Sequence, residues 1–303
     1  PGFPIDGPAI SAFSGGVDAT FTVQRHALGL AGADRADLQA ALMVHGFDIH
    51  RDDGDTYLAA RERARLQLAD TDLELRGVWT DLRALNQDWE HVFGLAVAAC
   101  LTLHQPRFSV GLIGSSERYD SWQVVPWGSS PITDHLFSTG FMDIRHDGAS
   151  ASRTEKVQSI ADWPEAVRHL RVCWEGEQQD RNCGRCEKCV RTYLNFQAVG
   201  HPDPGCFDRL PTVQDIHTMR ARNLRQLAEL ISIASHARAH NQDGPWLTAL
   251  DAAIKSNSRR LAVDQSLPIR VMRRLAWERN KVLRKGRSAA AMMRRPRAEG
   301  ERT

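Results

Sequence analysis

A doubly wound α/β fold, a parallel sheet with helices on both faces, is what this sequence predicts, and three observations predict it. Four short apolar runs, Ala9–Phe13, Leu38–Val44, Leu73–Trp79 and Phe108–Gly114, have the length and composition of buried parallel strands. Segments with helical spacing separate them, at intervals that suit right-handed crossovers. The first run ends directly in Ser14-Gly15-Gly16, a turn of small residues at the edge where open sheets bind ligands. Four cysteines between 173 and 189 add a zinc knuckle to this domain, taken as residues 1–210, and residues 211–303 form a helical extension.

Taken in order, Ala9–Phe13, the glycine turn and a helix over Val17–Leu30 aim backbone N–H groups and the positive helix end at a phosphate. Gly15 and Gly16 permit left-handed dihedrals and close approach to an anion, and Ser14 adds a hydroxyl donor. Asp18 repels an anion, and a carboxylate beside bound phosphates implies Mg²⁺ between them. A tight turn without a ligand is the competing reading. Leu38–Val44 leads into His45–Asp55, dense in His and Asp, which reads equally as a ligand loop or a solvated turn. Thr56–Ala69 reads as an amphipathic helix with a Thr cap, Asp81–Gln87 as a loop, and Trp89–Gln105 as an apolar helix containing Cys100.

Gly114–Asp120 leaves the fourth run as the glycine turn leaves the first. The irregular stretch Ser121–Thr139 that follows has the length of a site or lid. Ser115 and Arg118 are candidates to touch phosphates or a carboxylate. Tyr119, Trp122 and Trp127 are candidates to stack on a planar ring, with packing of a satellite core as the alternative. Ile144–His146 predicts a last short strand and Arg153–Ala161 a helix.

Composition bounds the function. At 303 residues, 42% hydrophobic and 25% charged, the chain matches an ordinary globular protein. No apolar run reaches the roughly 20 residues of a membrane span and no signal-peptide pattern opens it, so a cytoplasmic location is expected. The net charge of +2 is uneven: from Arg270 onward 12 Lys/Arg face 3 Asp/Glu, which leaves the preceding part at −7. Such a basic tail suggests a nucleic acid or another acidic partner, or merely a solubilising end. Helices are expected over Thr212–Ala237, Pro245–Ser256 and Pro268–Arg287, and a homo-oligomer is expected in solution.

Cys173, Cys183, Cys186 and Cys189 are spaced C-x9-C-x2-C-x2-C. Two overlapping C-x2-C steps put three thiolates on one turn and bring the fourth from upstream. This donor set favours a closed tetrahedral Zn²⁺ over an iron–sulfur cluster, and disulfides are disfavoured in a reducing compartment.

The Ser14-Gly15-Gly16-Val17-Asp18 stretch resembles the pyrophosphatase loop of the PP-loop ATP pyrophosphatases, with Ala19 where that pattern has a second Ser. Together with Arg153-Thr154-Glu155-Lys156-Val157 and Cys173…Cys183-Gly184-Arg185-Cys186-Glu187-Lys188-Cys189-Val190-Arg191, residues 9–198 resemble the 7-cyano-7-deazaguanine synthases. The resemblance implies a Rossmann-like PP-loop domain, ATP and Mg²⁺ at Ser14–Ala19, and a structural zinc on the four cysteines; Ser115 joins the ATP site on the reading of its turn given above. It further implies adenylation of a deazaguanine carboxylate, release of pyrophosphate and capture by ammonia or an amine to form an amide or nitrile. The Thr-Lys-x-Glu helix start of that family is rearranged here to Arg153-Thr154-Glu155-Lys156, and the Asp48–Asp55 loop and the Gly114–Gly140 segment differ from its substrate-binding stretches. The ATP loop and zinc ligands are therefore carried over, and the nucleobase is not.

A carboxylate reacts poorly with ammonia because oxide would have to leave, and attack on the α-phosphate of ATP removes that obstacle. On this reading Asp18 and Arg118 are the catalytic candidates, at the phosphates and the substrate respectively. Sulfur transfer to tRNA is the nearest rival, and of the six cysteines only Cys206 suits it. A zinc-dependent nucleic-acid-binding module without catalysis is the reading from a different class.

Overall fold

A computed structural model describes residues 7–85, 88–119, 127–176 and 178–264. Asp120, Trp122 and Pro126, the cationic helix expected over Pro268–Arg287 and the basic tail lie outside the described residues.

Five strands, β1 (Pro8–Ala12), β2 (Asp37–His45), β3 (Glu74–Trp79), β4 (Val110–Gly114) and β5 (Asp143–Asp147), form one parallel sheet in the order β3-β2-β1-β4-β5. The order reverses between β1 and β4, and such a switch point opens a crevice at the carboxyl ends of the strands. The helices between strands are α1 (Val17–Ala27), α2 (Gly54–Gln67), the single turn α3 (Leu82–Leu85) and α4 (Trp89–Thr102). After β5 come α5 (Arg153–Ala161), α6 (Pro164–Arg168), α7 (Glu187–Ala198), α8 (Val213–Thr218), α9 (Leu224–Ala239) and α10 (Pro245–Asp264).

Alternation along β2 divides the core. Ala40 and Leu42 join Ile10, Ile144, Ala98 and Leu101 on the face covered by α4. Ala41 and Met43 join Phe13, Val23, Ala60 and Ala166 on the face covered by α1, α2 and α6. A third cluster, with Val17, Ile160, Cys173, Cys189 and Phe196, ties the cysteine segment to the sheet domain. The extension has its own core of Ile216, Leu227, Leu230, Ile233 and Leu250, which shares Val190 and Leu194 of α7.

Three expectations need correction. Helix α2 begins at Gly54 and its cap is Asp53, whose carboxylate accepts from the Thr56 N–H at 3.2 Å; Thr56 lies inside the first turn. The expected loop at Asp81–Gln87 contains the helical turn α3. The helix expected over Thr212–Ala237 is two helices. Asn257 of α10 accepts from Ala221 N–H at 2.9 Å and donates to the Met219 carbonyl at 2.9 Å, engaging the backbone at the break.

Candidate functional site

At the switch point, Gly15 takes φ +76°, a left-handed conformation that glycine adopts without steric cost. Arg171 holds the turn from behind: its N–H donates to the Gly15 carbonyl at 2.8 Å and its Nε to the Ser14 carbonyl at 3.2 Å. Gln67 of α2 adds bonds to the Gly15 carbonyl and to Thr20 Oγ1. Gly16 is the N-cap of α1 and, lacking a side chain, gives that helix no side-chain cap. The turn's carbonyls are engaged, while the helix start keeps donors for an anion. Of the residues carried over from the resemblance, Val17 and Ala19 turn their side chains into the hydrophobic clusters and offer a ligand only their backbone.

Asp18 is ion-paired. Arg153 Nη2 donates to one carboxylate oxygen at 2.5 Å, and Lys156 Nζ reaches the other at 3.4 Å. Burial alone would raise the Asp18 pKa; Arg153, Lys156 and Lys188 outweigh it and hold the carboxyl below its ordinary range. Lys156, 1% exposed, also donates to the Ser115 carbonyl and so ties α5 to α1 and to the end of β4. The donor set expected for Mg²⁺ at Asp18 is thus a single carboxylate with both oxygens engaged by cations. The Ser115 hydroxyl, expected to face phosphates, is buried and bonds within its own turn, donating to the Glu117 carbonyl at 2.5 Å. Arg118 sits 3.4 Å from both carboxylate oxygens of Glu155.

A cavity of about 730 Å³ opens between the ends of β4 and β5, the start of α5 and one face of α9. Residues 115–118, which include the candidates Ser115 and Arg118, line it, but residues 14–18 do not. Arg153 connects the two, with Nη2 on Asp18 and Nε 3.4 Å from Glu229 in the cavity wall. Four carboxylates and three guanidiniums line the cavity, and Arg118–Glu155, Arg153–Glu229 and Arg225–Glu117 pair within it. Such balanced charge opposes a polyphosphate and suits a neutral or singly charged molecule. Arg225 stacks on the Trp127 ring at 4.3 Å, yet the buried Trp127 Nε1 and Arg225 Nη1 donors have no hydrogen-bond partner among the described residues. A ligand with acceptor atoms would satisfy both donors.

The four cysteines converge: their sulfurs lie within 4.8 Å of one another, with Cys173–Cys183 at 3.6 Å and Cys173–Cys186 at 3.7 Å. Zn–S bonds of about 2.3 Å in a tetrahedron require S–S separations near 3.8 Å, so the donors fit that ion and all six cysteines are free of disulfides. N–H groups of Arg185 and Cys186 donate to Cys183 Sγ, and that of Cys189 to Cys186 Sγ. Gly184 has φ +66°, and a Cβ there would lie 1.9 Å from the Arg209 carbonyl. Buried Asn182 staples the knuckle, accepting from Val172 and Cys173 N–H and donating to the Leu170 and Cys206 carbonyls.

Sequence reasoning missed the cations that meet at Asp18. Arg153 and Lys156 were legible only as a helix start, and Lys188 only as part of the cysteine motif; burial lowers the Lys188 pKa while Asp48 and Asp18 act to raise it. Fold and site together define a doubly wound α/β protein with a four-cysteine cluster able to hold a metal such as zinc. No family model, no curated protein and no solved structure matches the chain.

Proposed function

We propose that this protein is an ATP-dependent C–N ligase of the PP-loop type, resembling the 7-cyano-7-deazaguanine synthases. It activates a carboxylate as an acyl-adenylate, releases pyrophosphate and passes the acyl group to ammonia or an amine. The observation that carries the reading is Arg153, which spans from the glycine turn to the separate, charge-balanced cavity. Nucleotide phosphates belong at Ser14–Asp18, where the uncapped start of α1 and the cations Arg153, Lys156 and Lys188 offset their charge. The acceptor belongs in the cavity, against Trp127 and Arg225. Mg²⁺ arriving with ATP would neutralise phosphate charge, and Asp18 is the carboxylate nearest to hold it once Arg153 is drawn to the phosphates.

Burial weighs against sulfur transfer. It pushes the Cys100 thiol up to about 11 and the Cys206 thiol up to about 12, so neither is a ready persulfide carrier. The test is pyrophosphate release from ATP with the deazaguanine carboxylate and a panel of other heterocyclic carboxylates, each with ammonia. Release that depends on one acceptor is expected. ATP cleavage that ignores every acceptor, or no cleavage at all, sinks the proposal.

A further inference from the structure

The end of β5 contributes one titratable side chain to the cavity that the reading above leaves without a task. His146 lines the cavity beside Ser129 and Trp127. Its Nδ1 lies 2.7 Å from Oδ2 of Asp134, a carboxylate with no exposed surface in the turn before β5. Ser129 Oγ donates to the same oxygen at 2.7 Å, and Ser130 N–H donates to the other at 2.9 Å. With a carboxylate accepting on both oxygens, the proton of the His146–Asp134 bond resides on Nδ1. A neutral ring then carries its lone pair on Nε2, which has no hydrogen-bond partner among the described residues. The pleat of β5 separates this residue from Asp147, which is bonded by Thr22, Arg25 and His26 of α1. The other cavity imidazole, His236, stacks on His240 at 4.1 Å and has no carboxylate hydrogen bond among the described residues to fix its tautomer.

We propose that His146 is the proton acceptor for the nitrogen nucleophile, with Asp134 as its positioning residue; this rests on the ligase reading. Ammonia forms a C–N bond to the acyl carbon of the adenylate. The bond from that carbon to the phosphate oxygen breaks, and its electron pair leaves on AMP. One N–H proton passes to Nε2 of His146, and the imidazolium formed is stabilised by Asp134 until the proton is lost to water. Without an acceptor the attacking nitrogen stays cationic and is expelled again. A positioned base contributes about 10²–10⁴-fold to such a step.

The test compares two nucleophiles with ATP, Mg²⁺ and whichever carboxylate of the panel above supports pyrophosphate release: ammonia, and hydroxylamine, a weaker base whose adduct sheds its proton more readily. His146→Ala should lower the ratio of amide to hydroxamate about 100-fold relative to the unmutated protein, and added imidazole should restore the amide. Asp134→Asn should lower the same ratio by about 10-fold or more, because it disturbs the tautomer. Imidazole rescue is a response that a purely structural histidine does not give. If His146→Ala fails to fold, His146→Gln is read in the same ratio. An unchanged ratio, or no rescue, overturns the role of His146 while the ligase reading stands. No pyrophosphate, amide or hydroxamate from the unmutated protein with any carboxylate of that panel overturns both.

Discussion

The cysteine knuckle and the glycine turn each sit at the start of a helix, α7 in one case and α1 in the other. In the knuckle, Cys186 caps its own helix, and the sulfurs take N–H bonds from the turn that carries them. In the glycine turn no side chain caps α1, and the groups that gather at Asp18 come from α5 and from α7. The first arrangement is closed around a small ion by residues close in sequence. The second is assembled from distant segments and keeps its helix start open. Closure belongs to a folding site and openness to a site that must admit and release a ligand. Lys188, between two of the cysteines, belongs to both, since its charge also acts on Asp18.

That contrast is broken most directly at the knuckle. Cys186→Ser should remove the metal and destabilise the fold by more than about 5 kcal/mol, because structural zinc contributes about 10–16 kcal/mol to small metallodomains. Metal analysis and thermal melts check this, and full metal content with an unshifted melt would mean that the knuckle is not a folding site. Asp18→Ala should follow with a loss of about 3–5 kcal/mol, since it strands Arg153 and the buried Lys156. The sequence alone leads one to expect an intact fold from that change; the ion pairs make it costly. Pyrophosphate release should disappear in Asp18→Ala and also in the gentler Asp18→Asn. Turnover that survives both would detach the turn from chemistry.

Asp147 sharpens the comparison as a buried carboxylate with a purely structural setting. Burial would raise its pKa, and the bonds and charges of His26, Arg25 and Thr22 outweigh that and hold it below 3.8. A depressed carboxyl contributes its full stability above the unfolded value and loses it as pH falls through the lower folded value. Asp147→Asn should therefore cost about 2 kcal/mol at neutral pH and flatten the fall in stability below pH 3.8. Denaturant titrations from pH 7 down to pH 2 measure both. The smallest effect is expected from Gly15→Ala, about 1–2 kcal/mol from the left-handed backbone, with a Cβ 3.1 Å from Gln67 Oε1. Its ATP affinity, read by calorimetry, should fall more than its stability does.

Much of the fold was legible because its signals are local. The run Ala9–Phe13 followed by two glycines announces a strand, a turn and a helix whatever the rest of the chain does, and β1 and α1 lie within two or three residues of those bounds. The spacing of Cys183, Cys186 and Cys189 brings three sulfurs together within one turn and the start of α7. At the break over residues 219–223, Asn257 binds the backbone from more than thirty residues further along, and the one local sign was Asn223, whose side chain caps α9. The pairing of Asp134 with His146, twelve residues apart, was hidden because neither residue belongs to a motif.

By itself, the sequence determined the alternation of strands and helices, the left-handed turn at Gly15 and the four-sulfur cluster, each a product of backbone sterics, apolar periodicity or short chain spacing. Only the tertiary structure decided that Asp18 is held by Arg153 and Lys156, and that the cavity stands apart from the glycine turn. Only it brought His146 into the wall of that cavity with its Nδ1 on Asp134. Charges and hydrogen bonds act across space, and which of them meet depends on how the strands are ordered in the sheet.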